Sequence, residues 1–297
     1  MQQIKPHLPT VLCICAFFVS WQSAVSEVPA EFIPNFSVTF EKADQGDIAS
    51  RNLLTVATKD GRTIGEIELH RGIEAIDEVH YTKDRCVVIG LLSRQAGHSI
   101  TIINGDTATV AASTFCFWPT ISPDKAVIAF ESWYPRFRPN EEIWPTVALL
   151  SIESPSPVPV QIFPPPRSHS ADTGSIKKHG VVSPKAWSAD GKLLAFLDKH
   201  GDFGEWRTPH EVYCVLVTIE NGEAQKISRA PIRTTDFVDP AASPEYVAFS
   251  ARTLEIVGGR VQGKLYPGSY WKKLSFSFSV DAILSESELR NEEIPSK

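Results

Sequence analysis

Apolar residues along this chain fall in short runs of strand length, and the runs come in pairs closed by a polar turn. Three segments share one order: an apolar strand, a tight turn holding an aspartate, and a second apolar strand ending near Phe or Leu. They are IDEVHYTKDRCVVIGLLS at 76–93, FCFWPTISPDKAVIAFES at 115–132 and SPKAWSADGKLLAFLD at 183–198. The turns close for local reasons. Pro presets φ, Asp accepts backbone N–H groups, and Gly tolerates positive φ. The AVIAF and LLAFL runs that follow suit strands buried on both faces. Each unit continues with a further pair of runs, SITIINGDTATVAAS at 99–113, TVALLSIE to VPVQIF at 146–163, and EVYCVLVTIENGEAQKIS at 211–228. Asn104-Gly105 and Asn221-Gly222 are strong hairpin turns. Hairpin plus hairpin predicts a repeating antiparallel unit of four strands.

The turn aspartates Asp84 and Asp124 lie 40 residues apart, the length of one four-stranded propeller blade. Asp190 follows 66 residues later, with an insertion accounting for the excess. A fainter copy, AASPEYVAFSA, stands at 241–251. The segments Pro-x-x-Ser-Pro-Asp-Lys-x-x-Ile-Ala-Phe at 119–130 and Trp-Ser-Ala-Asp-Gly-Lys-Leu-Leu-Ala-Phe at 187–196 resemble the TolB-type (WD40-like) β-propeller repeat. That repeat also occurs in the propellers of prolyl-oligopeptidase-like enzymes. The resemblance covers most of residues 76–266 and implies an all-β propeller, with little said about activity. Residues 53–69 read as a hairpin turning at Lys59-Asp60-Gly61, and with 36–40 they supply a first, irregular blade. The alternating strand at 271–280 is expected to close the ring against it. The expectation is five to six four-stranded antiparallel blades, irregular or incomplete, over residues 27–280, then an acidic tail at 281–297. About ten residues separate the leader from the first strand, which leaves out the separate N-terminal domain of TolB.

Residues 1–26 read as a secretory signal peptide. Lys5 gives the positive start, Leu8 to Ser20 form the apolar run, and Ala24-Val25-Ser26 offer small residues for cleavage. The run is short for a bilayer span of about 20 residues. No lipid-anchor signal surrounds Cys13 or Cys15, and no later stretch is apolar enough to span a membrane. The expected location is secreted or periplasmic. The whole chain has 297 residues with 29 basic and 35 acidic side chains; removing the leader takes one Lys and leaves a net charge of −7. An acidic chain without a basic face is not expected to bind nucleic acid. Three cysteines remain, Cys86, Cys116 and Cys214, all within apolar runs. Burial as small hydrophobes is the plainer reading, and one disulfide with a leftover thiol is the alternative.

In a blade of strands A to D, the A–B and C–D turns share one end. Those turns are short here. The long segments fall at the other end: WYPRFRPNEEIWP at 133–145, PPPRSHSADTGSIKKHG at 164–180 and DKHGDFGEWRTPH at 198–210. Long loops on a rigid scaffold are where propellers bind. Trp133, Tyr134, Phe137, Trp144 and Trp206 interleave there with Arg136, Arg138, Arg167 and Arg207, residue types enriched at interface hot spots. Packing of these aromatics onto the blades is the competing structural reading.

Reacting groups were sought in the same loops. The sequence holds no G-x-S-x-G, H-E-x-x-H, P-loop or G-x-G-x-x-G motif. No motif calls for a cofactor or a metal. The run Asp198-Lys-His200-Gly-Asp202-Phe-Gly-Glu205 sets carboxylate oxygens around glycine, as a hard cation such as Ca²⁺ would need, but it lacks the full EF-hand spacing, Lys199 opposes a cation, and a solvated loop is the better reading. The leading expectation is therefore an exported, non-catalytic propeller that binds a protein or peptide of the cell envelope or exterior. The alternative is a hydrolytic or glycan- or peptide-binding propeller using Glu141, Glu142, Asp198, Asp202, His200 and His210. A purely structural module of an envelope assembly is the third reading.

Overall fold

The computed structural model describes residues 34–43, 51–92, 97–134, 144–164, 179–200, 211–232, 249–267 and 274–285. The first sheet holds β1 (Phe36–Glu41), β2 (Asn52–Thr58) and β3 (Thr63–Leu69) in that order. A seven-stranded sheet follows, in chain order: β4 (Ile73–Tyr81), β5 (Arg85–Leu92), β6 (His98–Asn104), β7 (Thr109–Ile121), β8 (Val127–Tyr134), β9 (Trp144–Ser151) and β10 (Val160–Phe163). The next sheet holds β11 (His179–Trp187), β12 (Leu193–His200), β13 (Glu211–Glu220) and β14 (Glu223–Ile232). The last holds β15 (Phe249–Val257), β16 (Arg260–Pro267) and β17 (Leu274–Ser279), and runs into a short helix, α1 (Val280–Ser285). Every strand pairing is antiparallel.

The seven-stranded sheet is two blades sharing one strand. Thr109–Cys116 of β7 pairs with β6, and Phe117–Ile121 pairs with β8. Both ends of β7 lie at the same end of the blades, and Arg85 ties them together. Its Nε donates to Asn104 Oδ1 and its Nη1 to the carbonyl of Ile152, whose N–H donates to Ala126 O. A strand that starts and finishes at one end must double back. The bend falls where the β8 register breaks, between Phe117 and Thr120, and Trp118 takes a φ of +50° there. The sequence reading had separated a strand ending near 113 from one starting at 115; the chain instead continues its pairing through the bend.

Among the described residues five blades result, stacked in chain order as a β-propeller, with four apolar layers between them. Leu54, Val56 and Ile67 of the first blade meet Cys86, Val88 and Ile103 of the second. Val87, Ile89 and Ile102 then meet Ile128, Phe130 and Leu150 of the third. Val127, Val147 and Phe163 meet Leu194, Phe196 and Val215 of the fourth. Leu197, Cys214 and Leu216 meet Leu254, Val261, Val280 and Ile283 of the fifth blade and its helix. Successive residues of one strand serve opposite layers, as a period of two requires. That explains the unbroken apolar runs of β5, β8 and β12. Burial pushes the thiols of Cys86 and Cys214 up to about 12, and Cys86, Cys116 and Cys214 are all buried thiols outside any disulfide.

The aspartate turns repeat atom for atom. Ser122 Oγ donates to Asp124 Oδ1 at 2.5 Å and accepts from Val127 N at 3.0 Å; Ser188 Oγ donates to Asp190 Oδ1 at 2.6 Å and accepts from Leu193 N at 2.8 Å. Lys125 and Gly191 hold the matching left-handed position, with φ of 59° and 70°. Thr58 and Asp60 build a one-residue-shorter version between β2 and β3, with Arg62 N donating to Thr58 Oγ1. These hydrogen bonds hold the Asp60 and Asp190 carboxyls below the usual aspartate range, the serine or threonine hydroxyl being the first cause.

One expectation is overturned at the chain's end. The strand at 271–280 does not close the ring against the first blade: β17 pairs with β16, Val261 opposite Phe278 and Gly263 opposite Phe276. A side chain at 263 would meet the Phe276 ring at 2.7 Å, so the glycine makes room for that phenylalanine against the fourth apolar layer. Among the described residues the first and last blades therefore carry three strands each. The faint repeat at 241–251 lies mostly outside the described residues. The hairpin there closes instead on Gly258-Gly259, two left-handed glycines between β15 and β16.

Because each serine hydroxyl bridges a buried N–H and a carboxylate, Ser122→Ala and Ser188→Ala should each cost about 1–2 kcal/mol in urea unfolding. Equal stability of either variant and the wild type would contradict the turn geometry.

Candidate functional site

The strands carry several of the sequence-predicted residues further than a loop reading allows. β8 runs on to Tyr134 and β9 begins at Trp144, with Trp133 opposite Pro145 and Tyr134 opposite Trp144. Trp133, Tyr134 and Trp144 thus belong to strand ends, because ladder pairing continues past the point where turn residues suggested a loop. Likewise His179 pairs with His200 and His200 with Glu211, at the same end of the fourth blade. Arg136, Phe137, Arg138, Arg167, Trp206 and Arg207 lie outside the described residues, as do Glu141, Glu142, Asp202, Glu205 and His210. Asp198 is a correction. It is not on a loop but inside β12, fully buried, opposite Val181 and Tyr213. Alternation along β12 places it on the side of Leu194 and Phe196, facing the third blade.

That placement gathers a charged layer above the apolar layer between the third and fourth blades. Glu131 follows Val127 and Ala129 on the same side of β8, and the buried Lys185 of β11 reaches it, Nζ to Oε1 at 3.3 Å. Lys185 Nζ also donates to Trp118 O at 3.2 Å, and Trp187 Nε1 donates to Thr120 O at 3.3 Å. Two side chains of β11 thereby reach two carbonyls of β7 at and just after the bend. Burial pushes the Lys185 ammonium below the usual lysine range, and Glu131 opposes that shift. Arg229 of β14 stacks over Tyr213 of β13 at 4.5 Å, on the same side as Asp198.

A second group was missed by sequence reasoning. The bend exposes two aromatics of β7, Trp118 at 60% and Phe115 at 44%. It lies at the long-loop end, since Cys116 pairs with His98, the first residue of β6. The Phe115 ring meets His70 edge-on at 5.1 Å, and the Trp118 ring stands 6.5 Å from that of His98. His98 Nε2 lies 3.6 Å from Asp77 Oδ2, while its Nδ1 is buried without a partner. Further along β4, Glu78 Oε2 accepts from or pairs with His80 Nε2 at 2.5 Å. Alternation from Cys116 would have put Trp118 on a buried side. Pro119 gave no warning either, since proline pushes the residue before it towards extended backbone, whereas Trp118 takes a φ of +50°.

Chemically the group offers an open indole, an open phenyl ring and exposed carboxylates on one strand end. Among the described residues no three His, Cys, Asp or Glu side chains gather as a metal-ligand set.

No protein-family model and no curated protein matches the chain. Among solved structures it is similar to the β-propeller domain of the trilobed protease from Pyrococcus furiosus, at 10% identity and TM-score 0.36, over 82% of this chain and 63% of that one. It is similar to the tricorn protease at 11% identity and TM-score 0.42, over 86% and 25%. A TolB homologue from Agrobacterium tumefaciens matches at 11% identity and TM-score 0.36, over 85% and 79%. The chain thus spans less than two thirds of the first two of these proteins. These likenesses concern the fold.

Two measurements check the geometry. Lys185→Met should cost about 3–5 kcal/mol by taking the ammonium away from the buried Glu131 carboxylate, and adding Glu131→Leu should restore most of it. Unaltered stability of the single variant would refute the pair. The His80 hydrogen bond holds the Glu78 carboxyl below the usual glutamate range. A carboxyl depressed on folding contributes stability at pH above its unfolded value, lost as pH falls through the folded one. In His80→Gln, the Glu78 titration followed by NMR should move up towards the ordinary glutamate value.

Proposed function

We propose that this chain is an exported, non-catalytic β-propeller of the TolB type that binds a protein or peptide of the cell envelope or exterior through its long-loop end. One observation carries the reading: Trp118 and Phe115 stand exposed at that end, on a backbone bend fixed from the neighbouring blade by Lys185. Exposed aromatics on a rigid frame lose little conformational freedom when a partner covers them. Trp133, Tyr134 and Trp144 stand on strand ends at the same end. The other end is filled by short turns whose polar groups are spent on one another. Export is supported by the leader-like residues 1–26, and no helix among the described residues is long and apolar enough to cross a membrane. Asp198, enlisted by the hydrolytic alternative, is fully buried between blades, a poor station for a reacting carboxylate.

The test is a pull-down from envelope extract using the purified protein, beside the variant Trp133→Ala, Trp144→Ala, Trp206→Ala. The expected result is a partner held by the wild type and lost by a variant that still unfolds cooperatively. Equal retention by both would overturn the assignment of this end.

A further inference from the structure

We infer that Trp118, His98 and Asp77 form a subsite for a cationic side chain, so that the partner presents a lysine or arginine to the second blade. The inference rests on the partner-binding reading above and names the chemistry of one contact within it. Three observations converge. The Trp118 ring is open to solvent at the bend. Its neighbour His98 is in turn the neighbour of Asp77, whose side chain is half exposed. A lysine or arginine side chain lying across the imidazole meets the indole on one side and the carboxylate on the other. Indole faces attract cations, more strongly when water is partly excluded, and a carboxylate supplies the complementary charge.

The surroundings fit that sign. Glu74 and Glu78 are also exposed on β4, the innermost strand of this blade, and Glu78 is occupied by His80. The whole chain is net negative. Of the lysines and arginines in the described part of this region, Lys185 is buried against Glu131 and Arg85 staples the opposite end, while Arg71 is exposed on the link before β4, beside His70. An anionic partner would meet Glu74 and Asp77 and be repelled.

The backbone gives the same reading from another side. A tryptophan at positive φ is a strained backbone conformation that something must hold. The Lys185 bond to the Trp118 carbonyl holds that conformation and fixes the ring outward rather than in the apolar layer where alternation would place it.

The test uses a fluorescein-labelled pentalysine peptide, with pentaglutamate and pentaglutamine as controls, followed by fluorescence anisotropy on the purified protein. Pentalysine should bind the wild type, and both controls at least tenfold more weakly. Trp118→Ala and Asp77→Asn should each weaken pentalysine at least tenfold. Glu220→Gln, an equal charge change at the short-turn end, should leave it unaltered. Loss of affinity in Glu220→Gln as large as in Asp77→Asn would mean net-charge attraction only and would overturn the subsite. So would undiminished binding by Trp118→Ala, or no pentalysine binding at millimolar concentration. Asp77 is surface-exposed, so its variant keeps the test decisive if Trp118→Ala unfolds. The two ideas separate cleanly. A pull-down partner lost by the triple tryptophan variant but retained by Trp118→Ala and Asp77→Asn leaves the binding end standing and removes the subsite.

Discussion

Everything in this molecule depends on sheets that are apolar on both faces and must therefore be covered twice. A strand such as Val87-Val88-Ile89 sends Val88 into one inter-blade layer and Val87 and Ile89 into the next. Stacking is the only way to satisfy both faces at once, and each new blade creates the need for another. At about 25 cal/mol per Å² of apolar surface, these layers are the main stabilising contribution. The fourth layer is completed by a short helix. Val280 and Ile283 of α1 cover the outer part of the fourth layer, Val280 N–H donates to Gly259 O, and Lys226 Nζ donates to the Leu284 carbonyl.

The layers also decide where polar chemistry can sit. Their centres are apolar, and among the described residues the buried charged side chains Glu131, Lys185 and Asp198 sit near the long-loop end, at positions that apolar residues hold elsewhere. A buried pair of this kind is weak support for stability, because desolvation takes back most of the attraction. Its effect is better read in geometry. Lys185 and Trp187 each reach across from β11 to a carbonyl of the bend in β7. The bend is thus tied to the neighbouring blade. The short-turn end is fixed differently, by hydroxyl–aspartate turns repeated from blade to blade and by Arg85.

Much of this was legible in the residues. The Ser-x-Asp turns gave the hairpins, and the two-residue alternation gave the faces, because both are local and each blade repeats them. What stayed hidden depended on neighbours. The loops at 133–145 and 198–210 were read too long, since ladder pairing between β8 and β9 and between β12 and β13 continues beyond the last obviously apolar residue. Asp198 was misplaced for that reason. β17 was given to the wrong blade because alternation says that a strand has an apolar face but not which sheet needs it. Trp118 was absorbed into a core strand, for alternation cannot see a bend that is held by a lysine 67 residues later.

That last miss bears on function more than the others. A tryptophan in a core strand needs no explanation, whereas one turned outward by a strained backbone does. The bend joins the outer edge of one blade to the inner edge of the next, so the chain must cross the long-loop end there. Crossing could have been made with small polar residues, as turns elsewhere in this chain are. It is made with Phe115, Cys116, Phe117 and Trp118 instead, and only Cys116 of these is fully turned inward. Exposing two large rings forgoes the burial they would gain in a layer, about 1.5–3 kcal/mol for a fully covered phenylalanine. A partner that covers them recovers that free energy at the moment of binding, on a surface already held in place by the fourth blade.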